Sequence, residues 1–134
     1  MRKIEGGKRK GDTARGRAAH RRGLRAETLA AIWLRLKGYR ILARRLKTRA
    51  GEIDMVARRG RALVIVEVKA SARPDMAGER AVEALLPRQQ QRLARAADHL
   101  LAMRPGLAGL DLRFDVVLVA PRRFPRHLED AWRP

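Results

Sequence analysis

Apolar side chains follow two different periods along this chain. Residues 62 to 66, Ala-Leu-Val-Ile-Val, form an unbroken apolar run rich in β-branched side chains, the pattern of a strand covered on both faces. Glu67 and Lys69 close that run, and Gly51 to Arg59 precedes it as a second strand. Taking Arg59-Gly60 as a two-residue turn pairs Ala57 with Ala62, Asp54 with Ile65 and Glu52 with Glu67. Opposed residues share a face of the sheet, so Asp54, Glu67 and Lys69 project to one side, the two acids being diagonal neighbours ~7–8 Å apart at the backbone. A three-residue turn would send them to opposite sides.

Helical spacing appears on both sides of this hairpin. Leu29, Trp33 and Leu36 predict a helix over 23–37, with Gly38 as its stop. Glu27 falls on a neighbouring face with Ala30, Ala31 and Leu34. The ordinary reading of such a residue is a first-turn glutamate stabilised by the helix dipole. Tyr39 to Lys47 reads as a strand, with Ile41 and Ala43 on one face and Leu42 on the other. Ser71 to Gly78 is a loop, and Glu79 to Leu86 a short helical turn. Pro87 opens a helix reaching Met103. Its stripe is Leu93, Ala97, Leu100 and Leu101, with Gln90 at the edge and Arg88, Arg92 and Arg95 outward. Leu112 to Val119 alternates as a strand. It follows a helical crossover, so it lies parallel to an earlier strand. His127 to Trp132 reads as a short edge strand. The order α-β-β-β-α-β is an α/β fold around one mixed sheet.

Charge changes the picture. Against 14 Asp and Glu stand 32 Lys and Arg, a net charge of +18 over 134 residues, which points to a polyanionic partner (DNA, RNA or ribosome, with DNA the first choice as partner) rather than an anionic membrane surface or a merely soluble surface. Residues 1–22 carry nine of these cations and read as a disordered basic arm, either tracking a phosphate backbone or serving as a plain leader. Residues 23–134 form a single domain. With no cysteine, disulfides and thiolate zinc sites are excluded, in keeping with a reducing cytoplasm. His20, His99 and His127 are too scattered for a metal cluster and read as surface or packing residues. No stretch has the ~18 apolar residues of a membrane span, and no secretory signal is evident.

A basic protein with a small acidic cluster needs a reason for the acids, which would repel a polyanion unless they hold a cation. Oxygen ligands suit Mg²⁺ or Mn²⁺, which polarise a phosphoryl oxygen and activate water. Lys69 is one of 6 lysines against 26 arginines, a compact ammonium in an arginine-rich chain. Arg44, Arg45, Lys47 and Arg49 form a basic rim leading into Gly51. With Arg88 and Arg92 they are the candidate nucleic-acid contacts.

Asp54, with Glu67-Val68-Lys69 thirteen residues on, resembles the site of PD-(D/E)xK nucleases. Together with Gly51-Glu52-Ile53-Asp54, Val66-Glu67-Val68-Lys69, the stretch Gly38 to Arg44 and Arg113-Phe114-Asp115-Val116-Val117, it resembles the YraN-like bacterial family over residues 20–134. The resemblance implies a restriction-endonuclease-like αβββαβ core akin to archaeal Holliday junction resolvases. It implies catalytic roles for Asp54, Glu67, Lys69, Glu27 and Gln90, with Asp54, Glu67 and Glu27 as ligands of Mg²⁺ or Mn²⁺. Ala26, Ser71 and Gln89 depart from that family's usual glycine, arginine and lysine, and Ile53 stands in place of the signature's proline. None of these changes removes a ligand.

Two functions follow from the sequence. One is a Mg²⁺-dependent endonuclease acting on DNA, including branched or repair intermediates, with a homodimer required for a junction. The other is a nucleic-acid-binding module of the same fold without catalysis.

Overall fold

The computed structural model describes residues 10–71 and 87–134; the loop and helical turn expected between Ala72 and Leu86 lie outside the described residues. Helix α1 spans Lys10–Leu36, strands β1 Arg40–Thr48, β2 Gly51–Arg59 and β3 Ala62–Ala70, helix α2 Pro87–Met103, and strands β4 Asp111–Val119 and β5 Arg126–Leu128. A single turn of 3₁₀ helix, Pro105–Leu107, joins α2 to β4. The strands form one sheet in the order β1-β2-β3-β4-β5. Only the β3–β4 pair is parallel, as the helical crossover requires. This is the mixed α/β sheet expected from the element order. Helix α1 begins at Lys10, thirteen residues before the expected start, so part of the anticipated basic arm is helical.

The central strand is β3. Leu63, Val64, Ile65 and Val66 are buried, each worth about 1.5–3 kcal/mol when fully removed from water. Val64 and Val66 pack with α1, and Leu63 and Ile65 pack with α2. The hairpin turn is Gly60-Arg61, not Arg59-Gly60, because Arg59 pairs with Ala62. Glycine takes the first central position with φ 60°, where a hairpin turn of the II′ kind requires a positive φ. The register therefore moves by two residues. An even shift preserves the face of every side chain, and Met55 opposite Val66 brings Asp54 beside Glu67.

Helix α1 packs by its small side chains. Ala26, Ala30, Ala31 and Leu34 are buried, whereas Leu29 and Leu36 are exposed. The stripe expected to face the core faces outward, and the alanine face lies on the sheet. Alanines let a helix approach closely, and that face carries Glu27. The helix ends as expected at Gly38. Its φ is 92°, and the amides of Gly38 and Tyr39 donate to the carbonyls of Arg35 and Leu34 at 3.0 Å, which satisfies the last turn. Strand β1 carries a bulge between Ile41 and Ala43. Ala43 accordingly joins Leu42 on the α2 side, while Ile41 stays on the α1 side.

A buried polar network ties β5 and the tail to β4. Asp115 is fully buried. Arg113 donates to both of its oxygens at 2.8 Å, and the Asp130 amide donates at 2.9 Å. His127 Nε2 donates at 2.6 Å, and its Nδ1 accepts from Lys37 Nζ at 2.7 Å. An ammonium has no acceptor, so this contact fixes the tautomer of a histidine expected to be a surface or packing residue. Burial pushes the Asp115 carboxyl upward, but the hydrogen bonds from His127, Arg113 and Asp130 outweigh it and hold the group below the usual range.

Removing one partner of such a buried pair leaves the other uncompensated. Asp115→Ala is expected to destabilise the fold by about 3–5 kcal/mol, read as a lowered urea midpoint. Arg133→Ala, at an exposed pair with Asp130, leaves that midpoint nearly unchanged. With its folded pKa depressed, Asp115 contributes stability above its unfolded value. That part is lost as pH falls below about 4, and the variant lacks the loss.

Candidate metal centre

The site lies where β2 and β3 part. Paired residues run from Arg59 opposite Ala62 to Met55 opposite Val66. Beyond them β2 breaks its alternation: Met55 packs on the α1 side, but Ile53 joins Val56 on the α2 side. The opening is filled by carboxylates. Asp54 Oδ2 accepts the Val68 amide at 2.9 Å, which pins it to β3. Asp54 and Glu67 share a hydrogen bond. Lys69 Nζ stands 3.3 Å from Glu67 Oε1, as expected from their position two residues apart on one strand.

Glu27 enters from α1 and Glu52 from the start of β2. One oxygen from each of Glu27, Glu52 and Asp54 lies within 4.8 Å of the others, a spacing at which a single divalent cation can be shared. Glu27 Oε2 is buried and accepts no hydrogen bond. Two of the three expected ligands, Glu27 and Asp54, are thus in one group, and Glu67 joins through its bond to Asp54. Glu52, which was not among the expected ligands, stands in the same group. Its spacing of two from Asp54 put both acids on one face, but reading Glu52 opposite Glu67 gave it a pairing partner in place of a role.

Burial is the first influence on these carboxyls. Burial, and then the neighbouring Asp54, push the Glu67 carboxyl up to about 7. Burial raises Asp54, against the Val68 amide that lowers it. Glu27 is raised by burial and by Asp54, with Arg45 opposing. Within the pair, the shared hydrogen bond lowers Asp54 and raises Glu67.

Arginines surround the acids. Arg45 Nε lies 3.6 Å from Glu27 and 3.7 Å from Glu52. Arg44 donates to Thr28 Oγ1 at 3.0 Å. Arg92, expected to project outward, instead turns in and donates to the Glu52 carbonyl at 3.0 Å. This contact requires Gly51: its φ is 132°, and a Cβ there would lie 2.6 Å from Arg92 Nη1. Arg88 is exposed at the start of α2. Lys47 and Arg49 line an open hollow of about 620 Å³ with Thr48, His99, Ala102 and Met103. Gln90 lines a hollow of about 350 Å³ with Pro87, Gln91, Ala94, Arg95, Arg133 and Pro134. No helix among the described residues is long and apolar enough to cross a membrane.

A family model, Uncharacterised protein family UPF0102, matches residues 26–119, a span that holds Glu27, Glu52, Asp54, Glu67 and Lys69. A UPF0102 protein of Parvibaculum lavamentivorans is 69% identical over 126 residues, covering 94% of this chain and 92% of that protein. Relatives from Paramagnetospirillum magneticum and Caulobacter vibrioides, also described as UPF0102 proteins, are 58% and 52% identical. The first covers 87% of this chain and 90% of its own length, the second 89% and 92%.

Because the Glu67 pKa is raised in the fold, its protonated form contributes stability that is complete below the unfolded value and lost as pH rises through about 7. The metal-free protein is therefore expected to melt at lower temperature at pH 8 than at pH 5.5. Glu67→Gln should flatten that dependence when melting is followed across the same range.

Proposed function

This chain belongs to the uncharacterised protein family UPF0102, and we propose that it is a nucleic-acid-binding phosphodiester endonuclease that works on DNA with Mg²⁺ or Mn²⁺. The observation that carries this reading is the convergence of Glu27, Glu52, Asp54 and Glu67 with Lys69 in a chain of net charge +18. The resemblance of Asp54 and Glu67-Val68-Lys69 to the PD-(D/E)xK site supports it.

The residues present fit a hard divalent cation. All the donors are carboxylate oxygens, one buried oxygen of Glu27 has no hydrogen bond, and the pKa values of Glu27, Asp54 and Glu67 are all raised, first of all by burial. Glu27, Glu52 and Asp54 would hold the ion directly, with Glu67 reached through Asp54. Bound there, such an ion supplies Lewis-acid stabilisation to a phosphoryl oxygen and lowers the pKa of water.

The chain's own groups do the rest. The Val68 amide fixes the Asp54 carboxylate in orientation. Glu67 holds the Lys69 ammonium at the edge of the cluster, where it orients an attacking water and steadies the anionic charge that develops on phosphorus. Arg44 and Arg45 stand on the strand beside the acids. With Lys47, Arg49, Arg88 and Arg92 they take flanking phosphates, placing the scissile bond over the carboxylates. Branched or repair intermediates are the preferred form of DNA in this reading.

A panel of linear, flap and four-way DNA and structured RNA, incubated with Mn²⁺, tests the proposal. The wild type is expected to cut DNA. Lys69→Ala should lose at least about 100-fold in rate while keeping its affinity for the substrate. Asp54→Ala should lose calorimetric Mn²⁺ uptake. Binding that weakens with salt, by about 0.9 in log K per phosphate neutralised, with no cleavage of any substrate and no response to metal, would instead identify a non-catalytic binding module.

A further inference from the structure

One arginine stands against the carboxylates in an unusual way. Arg45 has φ 52°, a left-handed backbone that a non-glycine residue adopts at an energetic cost. Its neighbours are regular: Arg44 pairs with Met55 and Leu46 with Ile53, so Arg45 lies across from Asp54. Its guanidinium reaches two acids on two different elements, Glu27 of α1 and Glu52 of β2, through the same nitrogen at 3.6 and 3.7 Å. Neither contact is a hydrogen bond, and among the described residues Arg45 donates none.

Arg113 provides the contrast. It grips Asp115 with two nitrogens, each 2.8 Å from an oxygen. That is how an arginine committed to a structural pair binds. Arg45 neutralises its acids without being held by them, and 41% of its side chain remains open to solvent.

We propose that Arg45 is a resident counter-ion that competes with a divalent cation for Glu27 and Glu52, and that loading of the cation frees it to take a phosphate of the nucleic-acid backbone. The inference rests on the metal-site reading above and adds a coupling to it. A dication among these oxygens repels a guanidinium at such range. The displaced side chain is long, half-exposed and shaped for a phosphate. The strained backbone at residue 45 aims it at the acids, and strain of this kind persists where it serves a site. Nucleic acid and metal would then bind cooperatively, because the metal releases a cation for the polyanion.

Calorimetric titration of Mn²⁺ into the full chain tests this, with Arg45→Asn and Arg45→Lys beside the wild type. Asparagine tolerates the left-handed backbone, and thermal melting confirms that each variant is folded. Arg45→Asn is expected to bind Mn²⁺ roughly three- to tenfold tighter, the scale of one partly screened ion pair. Arg45→Lys keeps the charge and should stay near the wild type. Duplex DNA affinity, measured with and without Ca²⁺, should rise with the cation in the wild type, and rise less in Arg45→Asn. Unchanged or weakened Mn²⁺ affinity in Arg45→Asn, with binding still abolished by Asp54→Ala, overturns the counter-ion role and leaves the metal site standing. Absence of Mn²⁺ uptake by the wild type removes the metal site itself.

Discussion

The interaction on which the rest depends is the mutual repulsion of four carboxylates gathered around Asp54. Two unit charges 4 Å apart interact by about 4 kcal/mol at an effective dielectric of about 20, and oxygens of Glu27, Glu52 and Asp54 lie within 4.8 Å of one another. The fold offers partial relief through the Val68 amide, the Lys69 ammonium and the Arg45 guanidinium. Relief is incomplete, which is why burial and mutual repulsion lift the pKa of Glu67 to about 7. A hydrophobic core has no use for such a group. Oxygens of Glu27, Glu52 and Asp54 lie close enough to share one cation.

Each structural feature near the cluster serves to bring the acids together or to keep them apart from the core. Alanines at 26, 30 and 31 are buried against the sheet, and Glu27 rides on the same surface of the helix. The end of the β2–β3 pairing at Met55 and Val66 makes room for Asp54 and Glu67. Glycine at 51 admits Arg92, whose bond to the Glu52 carbonyl fixes the backbone of that acid. None of these contacts is large. Their value lies in holding oxygen atoms within the reach of one ion.

Much of this was legible because strands and helices impose periods. The run from Ala62 to Val66 located the central strand, and alternation placed Asp54 and Glu67 on a common side. That inference survived a wrong turn assignment because the register error was even. The sequence was less informative wherever the backbone leaves its period. The bulge in β1, the break in β2 at Ile53 and the left-handed Arg45 carry no signature in side-chain type, and each redirects a neighbour. For α1, residue size misled the reading: Leu29 and Leu36 suggested a buried stripe by hydrophobicity, yet close helix–sheet packing selected the alanines. Glu52 was hidden by the same difficulty, since its role depends on where the hairpin opens.

The two polar clusters of this protein differ in a way that bears on function. Around Asp115, each carboxylate oxygen accepts hydrogen bonds, from Arg113, His127 and the Asp130 amide, at 2.6–2.9 Å. The result is a depressed pKa despite full burial, as a closed structural network should give. Around Asp54, a buried oxygen of Glu27 accepts none, and the neighbouring acids are raised. Both clusters are built from the same kinds of residue, in the same sheet, so the local chemistry of aspartate and glutamate cannot account for the difference. A fold able to satisfy Asp115 so completely had the means to pair Glu27 with an arginine in the same manner. Arg45 instead stands 3.6 Å from Glu27, against the 2.8 Å at which Arg113 grips Asp115, so the two clusters differ in how closely the fold lets a guanidinium approach.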